Sequence, residues 1–206
     1  HQLYRTTRRA SFFLTRLLCV MATPSKRHER INFAELHCLS NYSFLRGASH
    51  PEELVERAHE LGYKAIALTD ECTYSGLVKA HVVAAKLGIK LIVGAEFAFK
   101  ADQRADRANE KLVLLAPTRN AYGQLSAFIS ALRRRAKKGS YDAEVKDFSF
   151  GLKECFALWI PHQRAIEQQV SLGQQLKTAL PQLWLALELF HDGHDLDKTA
   201  HILTLS

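Results

Sequence analysis

The sequence predicts an α/β fold, and three observations carry that reading. Short apolar runs alternate with longer amphipathic stretches along most of the 206 residues. The runs are rich in Leu, Ile, Val and Ala, as suits strands buried on both faces of a parallel sheet. Glycines stand where the first two amphipathic stretches end, at Gly62 and Gly88, and mark helix stops. Strand, helix, strand repeated at this spacing implies right-handed crossovers. Periodicity alone leaves both an open sheet and a barrel available.

In chain order, strands are expected over 33–38, 65–69, 91–93, 111–116, 155–160 and 183–189. Helices are expected over 51–61, 75–87, 120–137, 163–178 and 196–203. The first helix sets Leu54, Val55, Ala58 and Leu61 on one stripe, and Ser49 with Glu52 offers a capping box. Trp159 and Trp184 fall within strands and read as core. His81 reads as a surface or packing residue. The basic run 133–138 fits a phosphate contact and fits equally a helix end whose cations suit the dipole. His191-Asp192-Gly193-His194-Asp195 resembles a metal cluster by composition, but its Gly and Asp content reads as a loop with an Asp near the next helix cap.

Hydrophobic content of 47% and charged content of 24% describe an ordinary globular domain, and the length supports one core. The net charge of +7 is concentrated in residues 1–30, which hold seven Lys/Arg and one Glu. The remainder is nearly neutral, so it has no global electrostatic footprint for nucleic acid. Four cysteines without C-x-x-C spacing read as reduced thiols of a cytoplasmic protein. No apolar run reaches the roughly eighteen residues of a membrane span. Residues 1–30 read as a basic leader, either disordered or upstream of a start at Met21; Arg16 interrupts what would otherwise imitate a signal peptide. Residues 31–206 form the domain.

The most informative stretch is Glu35-Leu36-His37-Cys38-Leu39-Ser40-Asn41-Tyr42-Ser43-Phe44-Leu45-Arg46-Gly47-Ala48. An acid followed by His-x-His would put two imidazoles on one face of a strand, where they can share an ion. Here Leu39 takes the second imidazole's place. A site that keeps one ligand and replaces the next with an aliphatic group keeps its fold and loses its chemistry.

This stretch, with Ala67-Leu68-Thr69-Asp70 and Val93-Gly94-Ala95-Glu96, resembles the start of a PHP (polymerase and histidinol phosphatase) domain. Residues 35–58 are most similar to the variant that opens error-prone relatives of the bacterial DNA polymerase III alpha subunit, and the resemblance spans 32–206. It implies an irregular parallel (β/α) barrel, truncated before its last strands, with its metal site at the C-terminal strand ends. Such a truncation would leave a strand edge exposed and the chain marginally stable.

Transferred residue by residue, His37, Asp70 and Glu96 match the family's ligands. Glu71 replaces a histidine but retains a donor for a hard cation. Leu39 and Lys111 stand where histidines are expected, and an ammonium donates where a ligand must accept. Tyr42 and Phe44 resemble packing positions. With the metal set so reduced, Lys111 is expected to pair with Glu71, Asp70 or Glu96.

The implied function is that of a non-catalytic scaffold, without a cofactor of its own, at the N-terminus of an error-prone DNA polymerase acting in damage-tolerant synthesis. Mg²⁺ and DNA belong to polymerase domains beyond these residues, and lesion-bypass proteins are expected partners. The alternatives are an active metal-dependent phosphoesterase or 3′–5′ exonuclease, and a freestanding module that holds a small anion near Lys111.

Overall fold

A computed structural model describes residues 13–16, 32–101, 110–149, 151–162, 165–191 and 193–205. Apart from 13–16, the proposed leader and Met21 lie outside the described residues. The elements are β1 (Phe13–Arg16), β2 (Ala34–Cys38), α1 (Pro51–Glu60), β3 (Ala65–Leu68), α2 (Leu77–Leu87), β4 (Lys90–Phe99), β5 (Glu110–Ala116), α3 (Arg119–Arg135), β6 (Phe156–Ile160), α4 (Ile166–Ala179), β7 (Leu183–Leu189) and α5 (Asp195–Leu205). A 3-10 turn, Val145–Ser149, precedes β6.

The seven strands form one curled sheet in the order β1-β7-β6-β5-β4-β3-β2. The architecture is a mixed α/β incomplete barrel, in keeping with the expected fold class. One strand departs from the parallel pattern. β5 runs antiparallel to both β4 and β6, and every other pairing is parallel. An antiparallel neighbour needs no helical crossover, so the short connection from Phe99 to Glu110 suffices. The reversal brings the start of β5 to the end of the sheet where β2, β3, β4, β6 and β7 finish. The edge of β7 that the sequence left open is paired with β1, Phe13 opposite Ala186 through Arg16 opposite Leu189.

Alternation along the strands sorts side chains into an inner and an outer layer. Ala67, Val113, Leu115, Leu158 and Ala186 fill the concave inside. Outside, Val55 and Ala58 of α1 and Ala80 and Ala84 of α2 cover Ile66 and Leu68. Leu125, Phe128 and Leu132 of α3, Leu172 and Leu176 of α4, and Phe148 cover Phe97, Phe99, Leu112, Leu114 and Trp159. Trp159 is fully packed, whereas Trp184 is half-buried on the inner face and meets Phe156 edge-on at 5.4 Å.

Local signals explain most boundaries. Pro51 opens α1, so the cap falls one residue later than expected: His50 N–H donates to Glu53 Oε2 at 2.7 Å. Thr118 Oγ1 accepts from Ala121 N at 3.0 Å and starts α3. Gly88, at φ 68°, closes α2. β4 runs six residues beyond its expected end at 93. Gly94 and Glu96 interrupt the apolar run, yet the strand continues because Glu96 faces inward while Phe97 and Phe99 fill the outer core. No described helix is long and apolar enough to cross a membrane.

Candidate functional site

The register of β2 shifts between Glu35 and Cys38. Leu36 packs in the inner cluster and Cys38 against the outer cluster of α1 and α2. The bulge turns His37 inward, to the open end of the sheet. There its Nε2 bonds Glu96 Oε2 of β4 at 2.7 Å and its Nδ1 bonds Glu188 Oε1 of β7. Both ring nitrogens face carboxylates, so both carry protons and the ring is an imidazolium. Burial alone would lower the pKa of His37, but the bonds to Glu188 and Glu96 outweigh it and push it up to about 9.

Glu96 is completely buried. Burial would raise its pKa, yet the bonds from His37 and Arg46 hold it down at about 2. The Arg46 guanidinium grips Glu96 with a fork: Nη2 donates to Oε2 at 3.0 Å and Nη1 to Oε1. The same Nη1 reaches Glu71 Oε2 at 2.9 Å. The other Glu71 oxygen accepts from the Tyr141 hydroxyl at 2.7 Å, and that hydroxyl accepts from Ala98 N at 2.8 Å. Glu35 lies behind the site, where Oε1 accepts from His37 N at 3.0 Å and burial raises its pKa.

Arg46 arrives on a loop folded tightly after β2. Ser43 N donates to Ser40 O at 2.9 Å, Gly47 N to Ser43 O at 3.0 Å, and Asn41 N to Ser49 O at 2.8 Å. Only a glycine fits at 47, because a Cβ there would stand 2.0 Å from Ser40 O. Asp70 holds the loop from beneath. Its Oδ1 accepts from Ser40 N and Ser43 Oγ, each at 2.7 Å, and its Oδ2 from Ser40 Oγ at 2.6 Å. Arg133 braces the next turn through the carbonyls of Glu71 and Cys72, both at 3.2 Å.

Of the candidate ligands named from the sequence, His37, Glu71 and Glu96 meet in this network, whereas the Asp70 carboxylate is taken up by the loop. Leu39 is half-buried just past β2. Lys111 corrects an expectation. Among the described residues it makes no ion pair, and its charge reaches Glu96 only through space. Arg46 holds the carboxylates instead, because its loop approaches from the open end and its fork matches them in geometry. Phe44 is not a packing position, being 83% exposed at the loop tip, whereas Tyr42 lays its ring against Gly76 and keeps 38% of its surface exposed. Arg135 of the basic run is tied to Asp147, with Nη1 on Oδ1 at 2.6 Å. Asp195 accepts from Phe190 N at 3.1 Å and His191 N at 3.0 Å, the loop-closing role its position indicated. Among the described residues, no group of three or more His, Cys, Asp or Glu side chains is arranged to hold a metal ion.

Three members of the network were not anticipated. Glu188 had a signal, as the one charge in the apolar run Leu183-Trp184-Leu185-Ala186-Leu187-Glu188-Leu189. Arg46 lies within the stretch that carries the resemblance but had no role assigned to it, and nothing local distinguishes Tyr141 from a surface residue.

The family model for the PHP domain matches residues 35–169, two thirds of the chain. The chain belongs to the PHP domain family. This PHP domain is 45% identical over 179 residues to an error-prone DNA polymerase of Dechloromonas aromatica, covering 84% of the chain and 16% of that protein. It is 53% identical over 129 residues to the error-prone DNA polymerase of Teredinibacter turnerae, covering 63% of the chain and 12% of that protein. The chain therefore spans under a fifth of the curated relatives it matches. Among solved structures, it superposes on an amidohydrolase of Chromobacterium violaceum with TM-score 0.56 and 18% identity, over 82% of each chain. A protein assigned as a metal-dependent phosphoesterase of Bifidobacterium adolescentis gives TM-score 0.53 and 14% identity, over 82% of this chain and 84% of that one. These two likenesses establish the fold alone.

Proposed function

We propose that this PHP domain is a non-catalytic scaffold at the N-terminus of an error-prone DNA polymerase. The observation that carries the reading is His37, whose ring nitrogens are both committed to carboxylates. Metal-dependent phosphoester hydrolysis needs neutral imidazoles and carboxylates with free lone pairs around the cations. The residues here do not fit that demand. His37 is protonated, Leu39 has no donor, Asp70 accepts three hydrogen bonds from Ser40 and Ser43, and Glu96 accepts from His37 and Arg46. Lys111 adds positive potential on the same inner face. Nucleotidyl transfer, its Mg²⁺, DNA binding and contacts with lesion-bypass proteins then belong to the whole cytoplasmic polymerase, and these residues support its folded core.

The test is metal content and phosphodiesterase activity after incubation with Mn²⁺, Zn²⁺ or Fe²⁺, with a Leu39→His, Lys111→His variant as comparison. The expected result is neither bound metal nor hydrolysis in the wild type. Stoichiometric metal with turnover in the wild type would replace this reading with that of a 3′–5′ exonuclease.

A further inference from the structure

We propose that Arg46 is the site's own cation: its guanidinium stands where the fold would otherwise place a metal ion and holds the strand ends together in that ion's stead. The inference rests on the reading of the site as silent and goes beyond it, because a lost metal site does not require a replacement.

The case begins with charge. Glu71, Glu96 and Glu188 converge from the end of β3, from β4 and from β7, and Glu96 has no solvent exposure. Such carboxylates cannot stay ionised at close range unless cations lie among them. Two are present, the His37 imidazolium and the Arg46 guanidinium, and Lys111 contributes only at a distance. His37 joins β2 to β4 and β7. Arg46 joins the end of β3 to β4 by spanning Glu71 and Glu96. A divalent ion would make the same kind of bridge.

The second argument is construction. Arg46 does not reach the site as a loose surface side chain. Asp70, Ser40 and Ser43 clamp its loop with three bonds of 2.6 to 2.7 Å, and Gly47 allows the backbone to fold onto Ser40 O. Asp70, a ligand position by resemblance, here positions the replacement cation. Arg46 and Asp70 therefore act as one unit.

The experiment is thermal unfolding of the full 206-residue chain carrying Arg46→Ala, with and without methylguanidinium or Mn²⁺ at millimolar concentration and matched ionic strength. Without the guanidinium, the midpoint is expected to fall by about 5–10 °C. Either cation is then expected to restore part of the loss saturably, and neither should move the wild type. Adding Glu96→Gln to Arg46→Ala should abolish the rescue, because the anionic cradle is gone. A merely structural arginine would show the loss without the rescue. An unchanged midpoint, or a loss that no cation reverses, overturns the proposal and leaves the scaffold reading intact. If Arg46→Ala does not fold, the variant Arg46→Ala, Glu71→Gln, Glu96→Gln, which removes the repulsion together with the cation, is expected to fold. Its failure would also overturn the proposal. Metal bound by the wild type with turnover would sink the scaffold reading itself, so the two failures are distinct.

Discussion

Replacing His37 with glutamine should flatten the dependence of stability on pH just above neutrality. In the folded chain the imidazolium is held to a pKa of about 9 by Glu188 and Glu96, against 6.5 for an ordinary histidine. The folded-state value is the raised one, so the stabilisation is complete below pH 6.5 and is lost as pH climbs through 9. Between those values the folded state keeps a proton that the unfolded chain has released, and each pH unit removes up to about 1.4 kcal/mol. Urea unfolding, followed by fluorescence of the buried Trp159, should therefore show the wild type losing about 2 kcal/mol from about pH 6 to about pH 8.5. Stopping there keeps small the contribution of Cys38, Cys72 and Cys155, which ionise near 9 in the unfolded chain and near 11 to 12 when folded. The low pKa of Glu96 reports the same hydrogen bond seen from the other partner, so the two shifts are not added. His37→Gln should lie below the wild type at the acid end and approach it at the alkaline end. A wild-type curve that stays level or rises across the window, or a variant with the wild-type slope, would refute the imidazolium assignment.

Two further substitutions probe the supports. Asp70→Asn removes the charge from three short hydrogen bonds and should cost about 1–3 kcal/mol in urea unfolding, with the Ser40–Gly47 loop becoming more open to proteolysis. Phe148→Ala empties the junction of Phe97, Phe99 and Phe128, whose ring centres lie 5.1 to 6.5 Å from it, and should cost about 3–5 kcal/mol. Thermal unfolding of that variant checks the value, and a loss below about 1 kcal/mol would show that the turn before β6 is not part of the core.

The element order was legible because burial writes itself into local periodicity. Each expected strand and helix has a counterpart, with boundary shifts where a polar residue interrupts a strand, as Glu96 does in β4, whereas β1 falls within the residues read as a leader and was not expected. β5 shows what periodicity leaves out: an apolar run reads the same in either direction, so its reversal has no local signature. The residues of the candidate site were legible by resemblance, but their partners were not. Leu39 and Lys111 stand where the resemblance expects histidines, but what holds the carboxylates of Glu71 and Glu96 is not written beside them.

By itself the sequence determined the alternation of strands and helices, membership of the PHP pattern, and which residues around His37 match that pattern. Those depend on residue type and short spacing. The tertiary structure decided that Arg46, 50 positions from Glu96, is the cation that grips it. It also decided that Glu188, 151 positions from His37, completes the imidazolium's cage, and that Asp70 serves the loop. Charges buried together must be neutralised by whichever groups the fold brings within reach, and reach is a property of three-dimensional distance.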